Sequence, residues 1–423
     1  MEHRSRLASS WGADHSTLAL VLAGGHGKRL RGLTEWRAKP AVPFGGHYRT
    51  VDFTLSNCLN SGIRRVALLT QYKSQSLIRH IHHSWGFLRR ELDEFIEIWP
   101  AQQRLGERWY SGTVDAVHQN RDLIEALDPE VVLVLAGDHV YSMDYSRLLE
   151  QHAAKRADLT VACVEVPIGD GSNFGIVGAD RDGRVRSFVE KPEHPSPAPG
   201  KYEVALASMG VYVFDRSFLF ECMDRDAADD RSTHDFGYSL LPSALESARV
   251  FAHDFRDARN PALPGYWRDV GTVESYWQAH MDLLDEPPKL DLYDESWPIR
   301  TERSVQPPAR IAGRVRVSSA ILAPGCVVCG DVYRSVVSTG ASIGGHSRVS
   351  ESVLLPGCSI GKNCVIDRVI VDSGCEIPDN TVIGSTVVGD SEGAYFLSPS
   401  GVVLVPRGRV VPHRRMAAAR MVA

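Results

Sequence analysis

The sequence predicts an α/β protein: a mostly parallel sheet, followed by a parallel β-helix. Three observations carry this. Short apolar runs alternate with amphipathic stretches from residue 18 to about 285, the pattern of an open parallel sheet between helix layers. Glycines and an acidic residue follow directly after two of those runs, where ligands of such sheets bind. Beyond residue 310, aliphatics and glycines return at a fixed interval of 17: Val336, Val353 and Ile370; Gly340, Gly357 and Gly374; Ile343, Ile360 and Ile377. Within each repeat an aliphatic recurs about every six residues, which gives three short strands per coil and a triangular β-helix of hexapeptide type. Such coils bury their aliphatics only by stacking.

The first run, Leu18–Ala23, reads as a buried parallel strand. It ends at Gly24, Gly25 and Gly27, where bare backbone lets amides approach a ligand. Lys28 and Arg29 follow at once, and Lys39 lies ten residues beyond Arg29. Amides beside fixed cations suit a polyphosphate. The dinucleotide fingerprint fails because position 30 is Leu, and no P-loop string occurs. Taken alone, the glycines fit a tight strand-helix turn equally well. Val66–Thr70 is the next strand, after a helix that Gly62 ends. Val114–Leu127 reads as an amphipathic stretch with Thr113 as its N-cap. Val131–Ala136 and Leu159–Val166 are further strands, and a helix starts near Glu274. The expected division is a polar arm (1–16), a catalytic domain (17–285), a proline-bearing connector (286–310), the β-helix (311–400) and a tail (401–423).

Composition excludes several classes. With 43% hydrophobic and 23% charged residues and a net charge of −5, the chain reads as a soluble globular protein rather than a basic nucleic-acid binder. The first apolar run is too short for a signal h-region or a membrane span. Eight scattered cysteines without an export signal suggest reduced thiols and a cytoplasmic location. Cys326-Val-Val-Cys329 lacks a second pair and reads as two small core-facing residues.

Three acidic or basic sites stand out. Asp138, in Ala136-Gly-Asp138-His, follows a buried strand, so its carboxylate should face the same crevice as Gly24 and Gly25 and suit Mg²⁺. An Asp capping the next helix is the competing reading. Asp269, in Tyr266-Trp-Arg-Asp269-Val-Gly-Thr, could complete the metal shell. His139 reads as a packed core histidine. Glu190-Lys191-Pro192 sets a lysine, extended because a proline follows, beside a carboxylate; the pair could hold a sugar phosphate and sugar hydroxyls. Asn173-Phe-Gly175 and Ala207-Ser-Met-Gly210 read as small-residue strand ends able to admit a hexose, and His234–Gly237 as a polar loop lining it.

Read together, Leu22-Ala-Gly-Gly, Arg37-Ala-Lys-Pro-Ala-Val-Pro-Phe-Gly-Gly, Leu69-Thr-Gln-Tyr, Pro100-Ala-Gln-Gln-Arg, Trp109-Tyr-Ser-Gly-Thr-Val-Asp-Ala, Gly137-Asp-His-Val-Tyr, Val189-Glu-Lys-Pro, Ser208-Met-Gly, His234-Asp-Phe-Gly and Trp267-Arg-Asp-Val-Gly-Thr resemble, in order and over nearly the whole chain, the glucose-1-phosphate adenylyltransferases of bacterial glycogen synthesis. The resemblance implies a Rossmann-like nucleotidyltransferase domain, a left-handed β-helix, and the reaction of ATP with α-D-glucose 1-phosphate to ADP-glucose and pyrophosphate. It implies catalytic roles for Arg29, Lys39 and Asp138, and Mg²⁺ held by Asp138 and Asp269. Tyr110, Gly175, Glu190, Lys191, Ser208, Asp235 and Trp267 match the glucose 1-phosphate contacts. Leu22, Ala23, Gly24, Gly25, Gln71, Gln102 and Gly112 match the ATP side. The family also implies a homotetramer answering to phosphorylated metabolites, with Arg37 and Arg49 as effector candidates. Trp36 and Pro43 replace a lysine and a histidine of the fructose-bisphosphate-responsive members, which leaves the effector open. Neither a nucleic acid nor a membrane is an expected partner. Two other readings fit the motifs: a sister enzyme using UTP, dTTP or GTP, and a regulatory subunit without activity.

Overall fold

The structure is a computed structural model and describes residues 16–103, 108–258, 260–384 and 395–408. The arm before Ser16 and the tail after Gly408 lie outside the described residues, as does Arg104 of the Pro100–Arg104 motif. The chain forms two compact units, each drawn from separate stretches. One holds residues up to 25, 53–74 and 85–267; the other holds 26–52, 75–84 and 268 onward.

The first unit is built on a nine-stranded sheet. Its strands are β1 (Thr17–Leu22), β2 (Arg65–Thr70), β3 (Phe95–Pro100), β4 (Val131–Ala136), β5 (Leu159–Pro167), β6 (Gly175–Ala179), β7 (Val185–Glu190), β8 (Val204–Asp215) and β9 (Val250–Asp254). The central order is β7-β6-β8-β4-β1-β2-β3. Strands β3, β2, β1 and β4 run parallel, and β8 turns antiparallel against β4, β5 and β6. Residues 18–21 of β1 are fully buried, as a strand covered on both faces requires. Gly62, at φ 84°, closes the turn after helix α1 (Thr50–Asn60), as its sequence position suggests.

The stretch 114–127 is not one helix. It is α2 (Thr113–His118) and α3 (Arg121–Leu127), and the N-cap is Gly112 rather than Thr113. The break falls at Asn120, whose Nδ2 donates to the Ala116 carbonyl (2.8 Å) and to the Tyr110 hydroxyl (2.9 Å). A side chain bonding back to the backbone competes with the helical ladder.

The second unit contains the β-helix. Its three parallel sheets follow the 17-residue interval: Val336 pairs with Val353 and Val353 with Ile370, and Ile343 pairs with Ile360 and Ile360 with Ile377. Gly340, Gly357 and Gly374 hold the same corner at φ 69°, 71° and 69°, a left-handed turn that glycine makes without strain. One coil is shorter. Val328 pairs with Ile343, an offset of 15, before Val332 meets Val349 at 17. The short corner runs through Gly330, where a Cβ would lie 2.5 Å from the Ser347 carbonyl oxygen. Cys326, Cys358, Cys364 and Cys375 are buried among the aliphatics of this core. Helix α4 (Val273–Asp282) also belongs to this unit, capped by Thr272 in a reciprocal box with Ser275. No helix among the described residues is long and apolar enough to cross a membrane.

Candidate active site

In the first unit, the glycine loop and Asp138 issue from neighbouring strands. Leu22, the last residue of β1, pairs with Ala136, the last of β4. The Gly137 amide donates to the Leu22 carbonyl (3.1 Å), and a Cβ at Gly137 would lie 2.8 Å from Val21. Glycine there lets the two strand ends close up, so Asp138 emerges beside Ala23 and Gly24. Ala23 is buried and its amide donates to the Leu69 carbonyl (2.9 Å); a Cβ on Gly24 would meet Gln71 at 3.4 Å. Gly25 faces open space. Asp138 is partly exposed, with the His139 Nε2 at 3.5 Å. The His139 ring stacks edge-on against Trp267 (5.0 Å), the packed role expected of it, and Trp267 also touches Phe174 (5.3 Å).

Gln71 is engaged by backbone. Its Oε1 accepts from the Tyr110 amide (2.8 Å) and its Nε2 donates to the Tyr110 carbonyl (3.3 Å), as a neighbouring strand would. With Asn120 on its hydroxyl, Tyr110 is tied at both ends. Gly112 is required by packing: a Cβ would sit 2.1 Å from the His234 carbonyl oxygen, which accepts from Val114 N (2.8 Å). Gln102, just after β3, is exposed.

The polar loop read at His234–Gly237 leads into a π-helical turn, Phe236–Leu240. Asp235 caps it. Its Oδ1 accepts from the Gly237 and Tyr238 amides, and its Oδ2 from the Thr113 hydroxyl (3.0 Å). Beside this turn lies Glu190. A Cβ at either Gly175 or Gly237 would come within 2.6 Å of its Oε2, so both glycines make room for that carboxylate. Lys191 Nζ lies 3.0 Å from Glu190 Oε1 and over the Tyr238 ring. The expectation of an extended Lys191 is corrected: its φ is 47°. Its amide donates to the Phe174 carbonyl (3.0 Å) and closes the β6–β7 hairpin, and this bond overrides the pre-proline preference. Gly175 opens β6 as expected, but Ala207–Gly210 lies inside β8, not at a strand end. The register jumps between Ser208 and Tyr212, with Gly210 at φ 66°, and this bulge turns the Ser208 hydroxyl toward the Tyr212 hydroxyl (3.3 Å). Tyr212 stacks on Phe236 (5.6 Å). Phe236 lies in the His234-Asp-Phe-Gly motif, whereas Tyr212 has as its signal only its place four residues past Ser208 in an alternating strand.

In the second unit, Asp269 gathers two cations. Lys39 Nζ lies 3.0 Å from its Oδ1 and Arg29 3.6 Å from its Oδ2. Lys39 is nearly buried, whereas Arg29 is largely exposed. Gly27, at φ 61°, lets the chain turn under Lys39: a Cβ there would lie 3.2 Å from the Lys39 Cβ. A Cβ on Gly271 would press on both Asp269 and Arg29, at 2.8 and 2.9 Å. The effector candidates are both engaged. Arg37 makes a buried ion pair with Asp372 (2.7 Å), a partner 335 residues away, and Arg49 donates to the Ala41 carbonyl (2.9 Å). Burial, then the nearby Arg37 charge, lowers the Arg49 pKa. Trp36 is exposed; Pro43 is buried and its carbonyl accepts from the Tyr276 hydroxyl.

Among the described residues no cluster of three or more His, Cys, Asp or Glu side chains forms a ready-made metal cage. One or two carboxylates are the donor set of a metal that completes its shell with substrate phosphates. Asp138 fits that donor set; the Asp269 oxygens are shared with Lys39 and Arg29.

A nucleotidyl transferase family model matches residues 18–286, and a GlmU-like C-terminal hexapeptide model matches residues 307–405. The chain is 51% identical over 395 residues to a glucose-1-phosphate adenylyltransferase of Methylococcus capsulatus, covering 92% of this chain and 93% of that one. It is 47% identical over 411 residues to one of Hydrogenovibrio crunogenus, covering 96% and 97%. It is 50% identical over 396 residues to one of Thiobacillus denitrificans, covering 92% and 90%. The match runs along almost the full length, and the chain belongs to the nucleotidyl transferase family and, within it, to the glucose-1-phosphate adenylyltransferases.

Proposed function

We propose that the chain joins ATP and α-D-glucose 1-phosphate to give ADP-glucose and pyrophosphate. The full-length match supports the reaction. The observation that carries the site is the pairing of the β1 and β4 ends, which brings bare amides and Asp138 to one edge of the sheet. A phosphate oxygen of the sugar phosphate attacks the α-phosphorus of ATP. The new P–O bond forms as the bond to the β-phosphate breaks, and pyrophosphate leaves with the electron pair. The protein's share is positioning and charge neutralisation.

In this reading Gly24 and Gly25 offer amides to the triphosphate, with Leu22 and Ala23 fixing the strand end that carries them. Gln71, Gln102 and Gly112 border adenine and ribose. Lys191 holds the sugar phosphate and Glu190 takes sugar hydroxyls. Tyr110, Gly175, Ser208, Asp235 and Trp267 shape the sugar side; Asp235 does so by capping the turn that carries Gly237. Arg29 and Lys39 neutralise the triphosphate and the departing pyrophosphate. Asp138 and Asp269 are the proposed Mg²⁺ ligands, and that ion, when bound, offsets phosphate charge. A homotetramer, a cytoplasmic location and effectors that are phosphorylated metabolites belong to the same proposal, with Arg37 and Arg49 as effector residues.

A pyrophosphate-release assay crossing ATP, UTP, dTTP and GTP with glucose 1-phosphate tests this. ATP is expected to be strongly preferred. Turnover with another nucleotide at the same efficiency, or none with any, would overturn the reading.

A further inference from the structure

On the side of the Gly112 turn bordered by helices α2 and α5 (Arg216–Ala228), the first unit holds an open cavity of about 190 Å³. Apart from His234, its lining residues carry no role assigned above. Its inner wall is Gln119, which is 4% exposed. The Gln119 Nε2 donates to Asp115 Oδ2 (2.9 Å), while its Oε1 is buried and, among the described residues, accepts from nothing. A buried carbonyl oxygen without a donor costs roughly 1–3 kcal/mol, so a ligand that donates a hydrogen bond there is favoured.

The remaining wall is polar of both kinds. The same Asp115 Oδ2 also accepts from the Ser111 amide (2.8 Å) and hydroxyl (3.0 Å). Opposite, the buried Asp226 holds the His234 ring at Nδ1 (2.7 Å). Met223 supplies an apolar floor, and Arg108 and Ala227 stand exposed at the mouth. Two carboxylates disfavour an anion, and among the described residues the lining has no Phe, Tyr or Trp ring on which a base would stack. Arg108 disfavours a simple cation, and among the described residues no group of three or more His, Cys, Asp or Glu side chains is placed to hold a metal ion. Donors and acceptors side by side, with little net charge, match hydroxyl groups, each of which does both.

We propose that this cavity is a second small-molecule site for a neutral polyhydroxylated ligand of monosaccharide size. Such a ligand bridges the Ser111 and His234 segments, which already meet where Val114 N donates to the His234 carbonyl. The site is distinct from the reaction proposed above: of the lining residues only His234 falls in a segment read there as bordering the sugar, and its ring is held by Asp226 on the cavity side.

Saturation-transfer NMR on the full-length chain with D-glucose, and separately with the open-chain hexitol sorbitol, tests it. Binding to the wild-type chain is expected, and glucose 1-phosphate should not displace it. Ala227→Trp, an exposed position whose new ring fills the mouth, should weaken binding at least about tenfold, a loss of about 1.4 kcal/mol. Gln119→Met should weaken it similarly, with the turnover of the Ala227→Trp chain unchanged. Glucose binding without sorbitol binding assigns the site to a closed ring; equal binding assigns it to linear polyols as well. No binding by either probe, equal binding in Ala227→Trp, or displacement by glucose 1-phosphate would overturn the proposal. The pyrophosphate-release assay reads none of these outcomes, so the two proposals fail separately.

Discussion

The sheet of the first unit and the β-helix of the second spend their glycines differently. In the β-helix, Gly340, Gly357 and Gly374 repeat one left-handed corner, and each is equivalent to the next. Around the sheet, Gly112, Gly137, Gly175 and Gly237 each clear space for one particular neighbour: a carbonyl, a strand end, or the Glu190 carboxylate. The coil is therefore an averaged structure, in which many similar contacts share the stability. The sheet edge is a set of single placements, and there one atom decides an outcome.

The contrast can be broken most sharply at Asp138. Asp138→Asn keeps the size of the side chain but removes the charge of the proposed metal ligand, worth several kcal/mol in such chemistry, so turnover should fall at least about 10³-fold. The thermal midpoint should hardly move; a near-normal rate would remove the metal assignment. In the coil the opposite pattern is expected. Ile360 is buried and paired on both sides, and Ile360→Ala should cost about 3 kcal/mol in denaturant unfolding while the folded fraction keeps its rate. Loss of activity without loss of stability would erase the distinction.

A third measurement probes the second unit through pH. Burial pushes the pKa of His280 down to about 4 from 6.5. Its Nδ1 donates to the Tyr276 carbonyl and its Nε2 accepts from the Gly45 amide, so the neutral ring is the one that fits. The folded state thus binds fewer protons than the unfolded chain between those values. The stabilisation is fully present above about pH 6.5 and is lost as pH falls toward 4, by up to about 3 kcal/mol. Unfolding titrations of the wild type and His280→Asn should differ in slope in that window; parallel slopes would assign the pH dependence to other groups. The smallest effect is expected at Lys191, which is half exposed. Lys191→Gln should raise KM for glucose 1-phosphate about 10- to 100-fold, the worth of one charge-assisted bond, with little change in kcat. A shift in the ATP constant alone would move the sugar-phosphate role elsewhere.

Much of this was legible in the residues. The apolar run 18–23, observed as strand through Leu22, pairs with the run 131–136, and Gly137 and Asp138 follow the second as its punctuation suggests. The 17-residue interval appears directly as register. What stayed hidden was set by contacts distant in sequence. Nothing near Arg37 announces Asp372. Gly112 looks like any turn glycine until the His234 carbonyl is seen against it. Thr113 reads as an N-cap because capping statistics are local, yet its hydroxyl serves Asp235 and the Phe236 amide. The short coil escaped because dropping two residues at a corner leaves the strands themselves unchanged.

The backbone of Lys191 has a consequence for evolution in the laboratory. A lysine at φ 47° sits in a region that costs a side-chain-bearing residue about 1–2 kcal/mol and glycine almost nothing. Selection for heat resistance alone would therefore drift toward glycine there and, on the role proposed for Lys191, recover a hardier protein with a weaker grip on its sugar. Consensus or stability-guided redesign of this chain should hold that codon fixed, because on the proposed role what looks like a flaw in the hairpin is a lysine kept for its charge.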